Sequence, residues 1–276
     1  MKLDYYTLLC PVPIQLSIGA IQSPILKRIG EIGYSKFGMY QVYLKLTPED
    51  YYTVIKKNRD SYWNYLSDEE KKDFTLYDII LLDKEFCDTF VEIFNFFFVE
   101  RVIFKDSLFY IVDTSDYDTP DELIDLDSME IRGSINPTTF FDVIDIIQQV
   151  CCIKSDDPLD EPMPKLKNAK AKKLYERMLK AKKEQEKKKA DKDSVNMTLP
   201  NMISATAAKC PGLNIVNIWD TTLFQLYDQF GKIQNIDIHY INSVNVAVWG
   251  DEKKQFDPSL WYKNNFNKDK NNNSLF

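Results

Sequence analysis

Lys165–Asp193, KLKNAKAKKLYERMLKAKKEQEKKKADKD, is the stretch that most restricts how this chain can fold. It carries 13 basic and 5 acidic residues, a formal charge of +8, in a chain whose total is −7. The rest of the chain therefore stands at −15. Lys and Glu are almost never fully buried without partners, so no common core can be built through such a run. Its Lys, Glu, Ala and Leu nevertheless favour helix. Fully helical, its 29 residues would span roughly 43 Å, at about 1.5 Å each. Ala171, Leu174, Tyr175, Met178 and Leu179 offer a partial apolar stripe. The stripe stops near Ala181, so Lys182, Lys183, Lys187, Lys188 and Lys189 are expected on a solvated, projecting half. The preceding KSDDPLDEPMP holds three prolines and no core pattern, which marks a linker. Residues 154–197 are thus expected to be a linker and a basic helix between two folded parts.

Residues 1–153 are expected to form a mostly helical domain with a small sheet. Ser23-Pro24 and Thr47-Pro48 place a capping hydroxyl before a proline suited to the first helical position. Ser67 with Glu70 fits a capping box, and Thr75 is a candidate cap for the helix after it. Phe86, Phe90, Phe94 and Phe97 recur at helical spacing and predict a strongly amphipathic helix. At Arg101–Val112 the period changes: RVIF and LFYIV flank Lys105-Asp106-Ser107, a β-hairpin signature. Met129–Arg132 is a candidate third strand, and Asn136-Pro137 is expected to cap a helix carrying Phe140, Val143, Ile144, Ile147 and Val150.

Residues 198–250 are expected to be a small helical module. In LNIVNIWDTTLFQLYDQF (Leu213–Phe230), Asp220 or Thr221 is the expected N-cap. Leu223, Phe224, Tyr227 and Phe230 share one helical face, and Gly231 is expected to end the helix. Ile233–Trp249 suits helix or strand; the spacing of Ile236, Tyr240 and Val244 favours helix. Residues 251–276 are polar and Asn-rich and are expected to be disordered. The fold class is therefore mainly α with a small β-hairpin or sheet (α+β): a helical N-terminal domain, a long charged helix and a helical C-terminal module.

Several function classes fit poorly. Only 8 glycines in 276 residues disfavour dinucleotide folds and glycine-lined phosphate sites. A single histidine, His239, leaves little room for a histidine-based metal site or a Ser-His triad. Asp113, Asp116, Asp118 and Asp121 are candidate donors to a hard cation. Their loop lacks the glycine and the final glutamate of a calcium loop, and solvation explains them as well. The five cysteines have no CxxC spacing and suit reduced thiols. LLCPVPIQL near the start is a poor secretory leader, and no run of 18 apolar residues suggests a membrane span. Neither an enzymatic activity nor a cofactor is expected, and the net charge of −7 opposes general nucleic-acid binding. For the basic segment three readings stand: a solvated linker, an arm that contacts an acidic partner or the acidic N-terminal domain, and, least favoured, a nucleic-acid or membrane contact.

Three motifs in order, EIGYSKFGMYQVYL (Glu31–Leu44), INPTTFFDVIDIIQQV (Ile135–Val150) and GLNIVNIWDTTLFQLYDQF (Gly212–Phe230), resemble proteins from the tail modules of phages and prophages of low-G+C Gram-positive bacteria. Members of that group are treated as tail assembly chaperones. The resemblance implies a non-enzymatic protein of the host cytoplasm that binds a tape-measure or tail-tube protein; the alternative is a structural tail or baseplate component of the virion. Candidate partner-binding residues are Trp219, Phe224, Tyr227 and Phe230, with Lys182, Lys183, Lys187, Lys188 and Lys189 as a charged arm.

Overall fold

A computed structural model of the chain describes residues 1–57, 62–113, 129–153, 198–251, 254–264 and 266. It is α+β, mostly helical with two small antiparallel sheets. The chain divides into two compact units. The first is Met1–Lys154 with Trp219–Gln225, and the second is Ser155–Ile218 with Leu226–Phe276.

The first unit opens with helix α1 (Tyr5–Leu9) and the hairpin β1 (Ile14–Leu16) and β2 (Gly19–Ile21). Helices α2 (Leu26–Ile32), α3 (Tyr34–Tyr43) and α4 (Pro48–Asp50) follow, the last running into a π-helical turn over Tyr51–Ile55. Then come α5 (Tyr62–Tyr65), α6 (Asp68–Asp73), α7 (Leu76–Leu82) and α8 (Lys84–Phe97). Strands β3 (Arg101–Lys105), β4 (Leu108–Asp113) and β5 (Glu130–Ile135) form one sheet in that order, before α9 (Phe140–Val150).

Local chemistry sets most of these starts. The hydroxyls of Ser67 and Thr75 accept from the N–H groups of Glu70 and Asp78, whose carboxylates return the bond, closing two capping boxes. Thr47 accepts from Asp50 N–H, with Pro48 leading the helix. Asp106 and Ser107 both have positive φ, 48° and 65°, and so make the two-residue turn whose twist matches a hairpin.

Ser23-Pro24 behaves differently from expectation. Helix α2 begins at Leu26, after an extended Ile25 with ψ 148°. Pro24 and Ile25 are held extended because their backbone pairs with Thr221–Leu223. Gly33, at φ +90°, then separates α2 from α3.

The core of this unit is aromatic. Phe90 and Phe94 on α8 stand 5.8 Å apart between centroids. They pack edge-on or tilted against Phe140 of α9, at 5.5 and 6.0 Å, and Phe94 meets Phe109 of β4 at 4.9 Å. Such pairs add about 0.5–1.5 kcal/mol each beyond the area they bury. Tyr77 donates its hydroxyl to the carbonyls of Ser107 (2.8 Å) and Ile135 (3.3 Å), pinning the hairpin turn and the end of β5 to α7. Burial pushes its pKa up to about 12, so the donor is retained at any ordinary pH. The amide of Asn95 holds both backbone groups of Val102, at 2.7 and 2.8 Å, tying β3 to the last turn of α8. A Cβ on Gly133 of β5 would lie 2.6 Å from the Ile18 backbone, so only glycine lets the β1–β2 turn approach the sheet.

The second unit contains α10 (Leu199–Lys209), which buries Leu199, Met202, Ile203 and Thr206 along one face. A turn follows, in which Asn214 and Asn217 bond each other's backbone; the Asn214 N–H donates to Asn217 Oδ1 at 2.7 Å. Most of helix α11 (Leu223–Trp249) also belongs to this unit, although its first three residues pack in the other.

Helix α11 overturns the expected stop at Gly231, which sits buried within it. An interior glycine costs about 1 kcal/mol relative to alanine, which a 27-residue hydrogen-bonded helix absorbs. Residues 233–249 are helical throughout. The tail expected to be disordered has local structure at 254–264: Asp257 accepts from Ser259 N–H at 2.9 Å ahead of a 3-10 turn, Leu260–Tyr262. Its remaining residues lie mainly outside those described. Cys87 and Cys151 are buried, the other three cysteines are half-buried, and all five are free thiols.

Candidate functional site

The segment of interest is Trp219–Gln225, the middle of the third sequence motif. Leu26 N–H donates to the Thr221 carbonyl at 3.0 Å, and Leu223 N–H donates to the Pro24 carbonyl at 2.8 Å. Between them Ile25 and Thr222 face each other as an antiparallel bridge. A strap of chain from far along the sequence thus completes the N-terminal unit.

The strap is also the start of α11. Thr222 Oγ1 accepts from Gln225 N–H at 3.1 Å, while Gln225 Oε1 accepts from Thr222 N–H at 3.0 Å. This capping box places the helix start at Thr222, one residue after Thr221 and two after Asp220, the two expected caps. Gln225 Nε2 also donates to the Leu9 carbonyl at 2.8 Å, fastening α1 to the strap. Phe224 meets Tyr5 edge-on at 6.2 Å. Thr222 is fully buried.

The candidate contact residues therefore separate. Phe224 is 3 % exposed and packs in the core of the first unit. Trp219 is 38 % exposed. Tyr227 and Phe230 are half-buried. Lys182, Lys183, Lys187, Lys188 and Lys189 lie outside the described residues.

A polar cleft of about 400 Å³ in the first unit is lined by Gln22, Arg28, Asn95, Glu100 and Arg101 among others. The Arg28 guanidinium donates to Gln22 Oε1 at 3.3 Å and to the Asn95 carbonyl at 3.1 Å, and lies 5.0 Å from the Phe96 ring centre. Its charge stabilises the carbonyl end of α8, a structural task. Of the candidate cation donors, Asp113 is paired with Arg132 at 2.6 Å, and Asp116, Asp118 and Asp121 lie outside the described residues. Among the described residues no cluster of His, Cys, Asp or Glu is arranged to hold a metal ion, and no helix is long and apolar enough to cross a membrane.

One surface was not legible beforehand. The last turns of α11 expose Tyr240, Ile241, Val244, Val248 and Trp249 to solvent. Their helical spacing is visible in the sequence, but spacing alone reads as a buried stripe.

Residues 185–265 match the model of the YomV second domain, from a phage-associated family. The match takes in α10, the strap and α11, and it supports a phage-related protein. No curated protein and no solved structure matches the chain.

Proposed function

We propose that this protein is a non-enzymatic tail assembly factor that acts in the host cytoplasm and binds a tape-measure or tail-tube protein. The observation that carries the reading is a coincidence of two likenesses on one segment. Gly212–Phe230 is the third of the motifs that resemble phage tail-module proteins, and it lies inside the YomV second-domain match at 185–265. The strap within it is an integral part of the fold, and Trp219 leaves an aromatic surface of the kind that anchors protein contacts.

The basic segment supplies the second half of the proposal. Charges on a solvated segment act through long-range attraction, screened over about 8 Å at physiological salt. Lys182, Lys183, Lys187, Lys188 and Lys189 would therefore speed capture of an acidic client more than they prolong the complex. Reversing all five to glutamate should slow association with the tape-measure protein and flatten its salt dependence. Equal on-rates for both proteins would reduce the segment to a linker.

Mass spectrometry of purified virions tests the role itself. An assembly factor is expected in infected-cell lysate with the tape-measure or tube protein, and in virions at no stoichiometric level. A fixed copy number per virion would instead favour a structural tail or baseplate component.

A further inference from the structure

We infer that the exposed face of α11 is a self-association surface, on which the same face of a second copy packs. Ile236, Tyr240, Val244 and Val248 recur every four residues and form one continuous ridge, with Ile241 beside it. These five side chains are 45 to 69 % exposed. Apolar ridges at four-residue spacing pack into the grooves of a like helix, typically crossing at about −50°.

The chain covers other parts of α11 and leaves this one. Lys232 Nζ donates to the Tyr262 carbonyl at 3.1 Å and also to that of Lys263, while His239 and Phe256 rings lie 5.3 Å apart. The segment 256–263 thus packs on α11 beside His239 and at Lys232, one turn before the exposed ridge begins. Lys209, at the last turn of α10, pairs with Asp237, so α10 ends beside the first turn of the ridge. From Tyr240 onward the ridge stands in solvent.

Charge and area point to a second copy as the occupant. Between Asp237 and Asp251 the sequence has no Asp, Glu, Lys or Arg, and Asp237 is neutralised by Lys209. Two copies meeting here bring no like charges together, which for a chain of −7 is the condition self-association needs. A charged client would find no complement on this face. Taking roughly 150–200 Å² for a fully exposed large side chain, the five residues offer on the order of 500 Å². Ala247 and Asn245, exposed at its margins, add to this, so two such faces together reach the ~1,000 Å² total of a small specific interface.

Sedimentation equilibrium of the full chain across the micromolar range tests the inference. The wild type is expected to dimerise. Val244→Asp and Val244→Lys should each weaken the dimer at least about a hundredfold, because an unpaired charge is buried. Mixing the two variants should restore a dimer, since Val244 lies near the middle of the ridge and the introduced charges oppose each other. Val248→Asp, in the last turn, gives a second reading where Val244 variants fail to fold. A monomeric wild type overturns the inference, whether or not it captures a client. So does a dimer that folded Val244→Asp or Val248→Asp leaves as tight as wild type.

Discussion

The backbone N–H of Leu223 donates to the carbonyl of Pro24 at 2.8 Å, and this bond joins the helix start of one motif to the entry of α2 in another. It is one of two backbone hydrogen bonds, with Leu26 N–H to the Thr221 carbonyl, that together form the Ile25–Thr222 bridge and make the N-terminal unit depend on residues beyond the basic run. A protein ending before residue 219 would leave Leu26 N–H and the Pro24 carbonyl without their partners, at a cost of about 1–3 kcal/mol for each such group that stays buried.

Gln225 concentrates that dependence in one side chain. Its amide serves both Thr222 N–H and the Leu9 carbonyl, at 3.0 and 2.8 Å. Gln225→Ala removes two part-buried hydrogen bonds and is expected to cost about 1–3 kcal/mol. For a domain of this size that lowers the melting midpoint by about 2–4 °C per kcal/mol, measured by calorimetry. Gln225→Glu keeps the acceptor and loses the donor, so it should fall between the two.

What was legible follows the range of the interaction. The capping box at Ser67, the cap at Thr75 and the hairpin turn within Lys105-Asp106-Ser107 depend on neighbours three or four residues away and could be read directly. Ser23-Pro24 satisfied the same local rule, yet α2 starts later, because Pro24 and Ile25 pair with a strap whose position no local pattern encodes. Gly231 shows the converse: a residue suited to ending a helix is carried through when the helix on both sides is hydrogen-bonded. At the candidate site, the apolar spacing of Phe224 and of Tyr240 looks alike in sequence, but Phe224 is buried against Tyr5 and Tyr240 faces solvent. Periodicity identifies a face and leaves its occupant unspecified.

Acid should expose the network at the start of α8. Asp83 accepts from Phe86 N–H at 3.1 Å and from the Tyr51 hydroxyl, and pairs with Lys56 at 2.6 Å. Burial works to raise its pKa, but the bonds from Lys56, Tyr51 and Phe86 outweigh it and hold the carboxyl below its ordinary value. A depressed folded pKa means that the stabilisation is fully present above the unfolded value, near about 3.9, and fades as pH falls through the folded one. Asp83→Asn keeps the helix cap and loses the charge. It should cost about 1–3 kcal/mol at neutral pH, with the gap to wild type closing below about pH 4 in urea titrations.

Thr206 offers a stabilising change. It is fully buried in α10, and its Oγ1 is a buried side-chain oxygen with no hydrogen-bond partner. An unpaired buried hydroxyl costs about 1–3 kcal/mol, and valine has nearly the same shape. Thr206→Val is therefore expected to raise the urea midpoint by the equivalent of roughly 1 kcal/mol. An unchanged or lower midpoint would falsify the assignment of that oxygen as unpaired.

Trp219 and Phe224 separate folding from recognition within one motif. Phe224 is 3 % exposed and packs edge-on against Tyr5 at 6.2 Å, so Phe224→Ala opens a cavity in the N-terminal unit. Truncating a core phenylalanine costs about 3–5 kcal/mol. Trp219 is 38 % exposed, and Trp219→Ala loses only the buried part of its ring. Its stability cost should fall clearly below that of Phe224→Ala in thermal unfolding. If Trp219 anchors a client, its variant should stay folded while losing capture of the tape-measure protein by at least about tenfold, the scale of a contact worth 1.4 kcal/mol. Phe224→Ala should lose both together. A Trp219→Ala protein that binds as tightly as wild type would remove this residue from the contact surface and leave the tryptophan as a partly exposed packing residue of the strap.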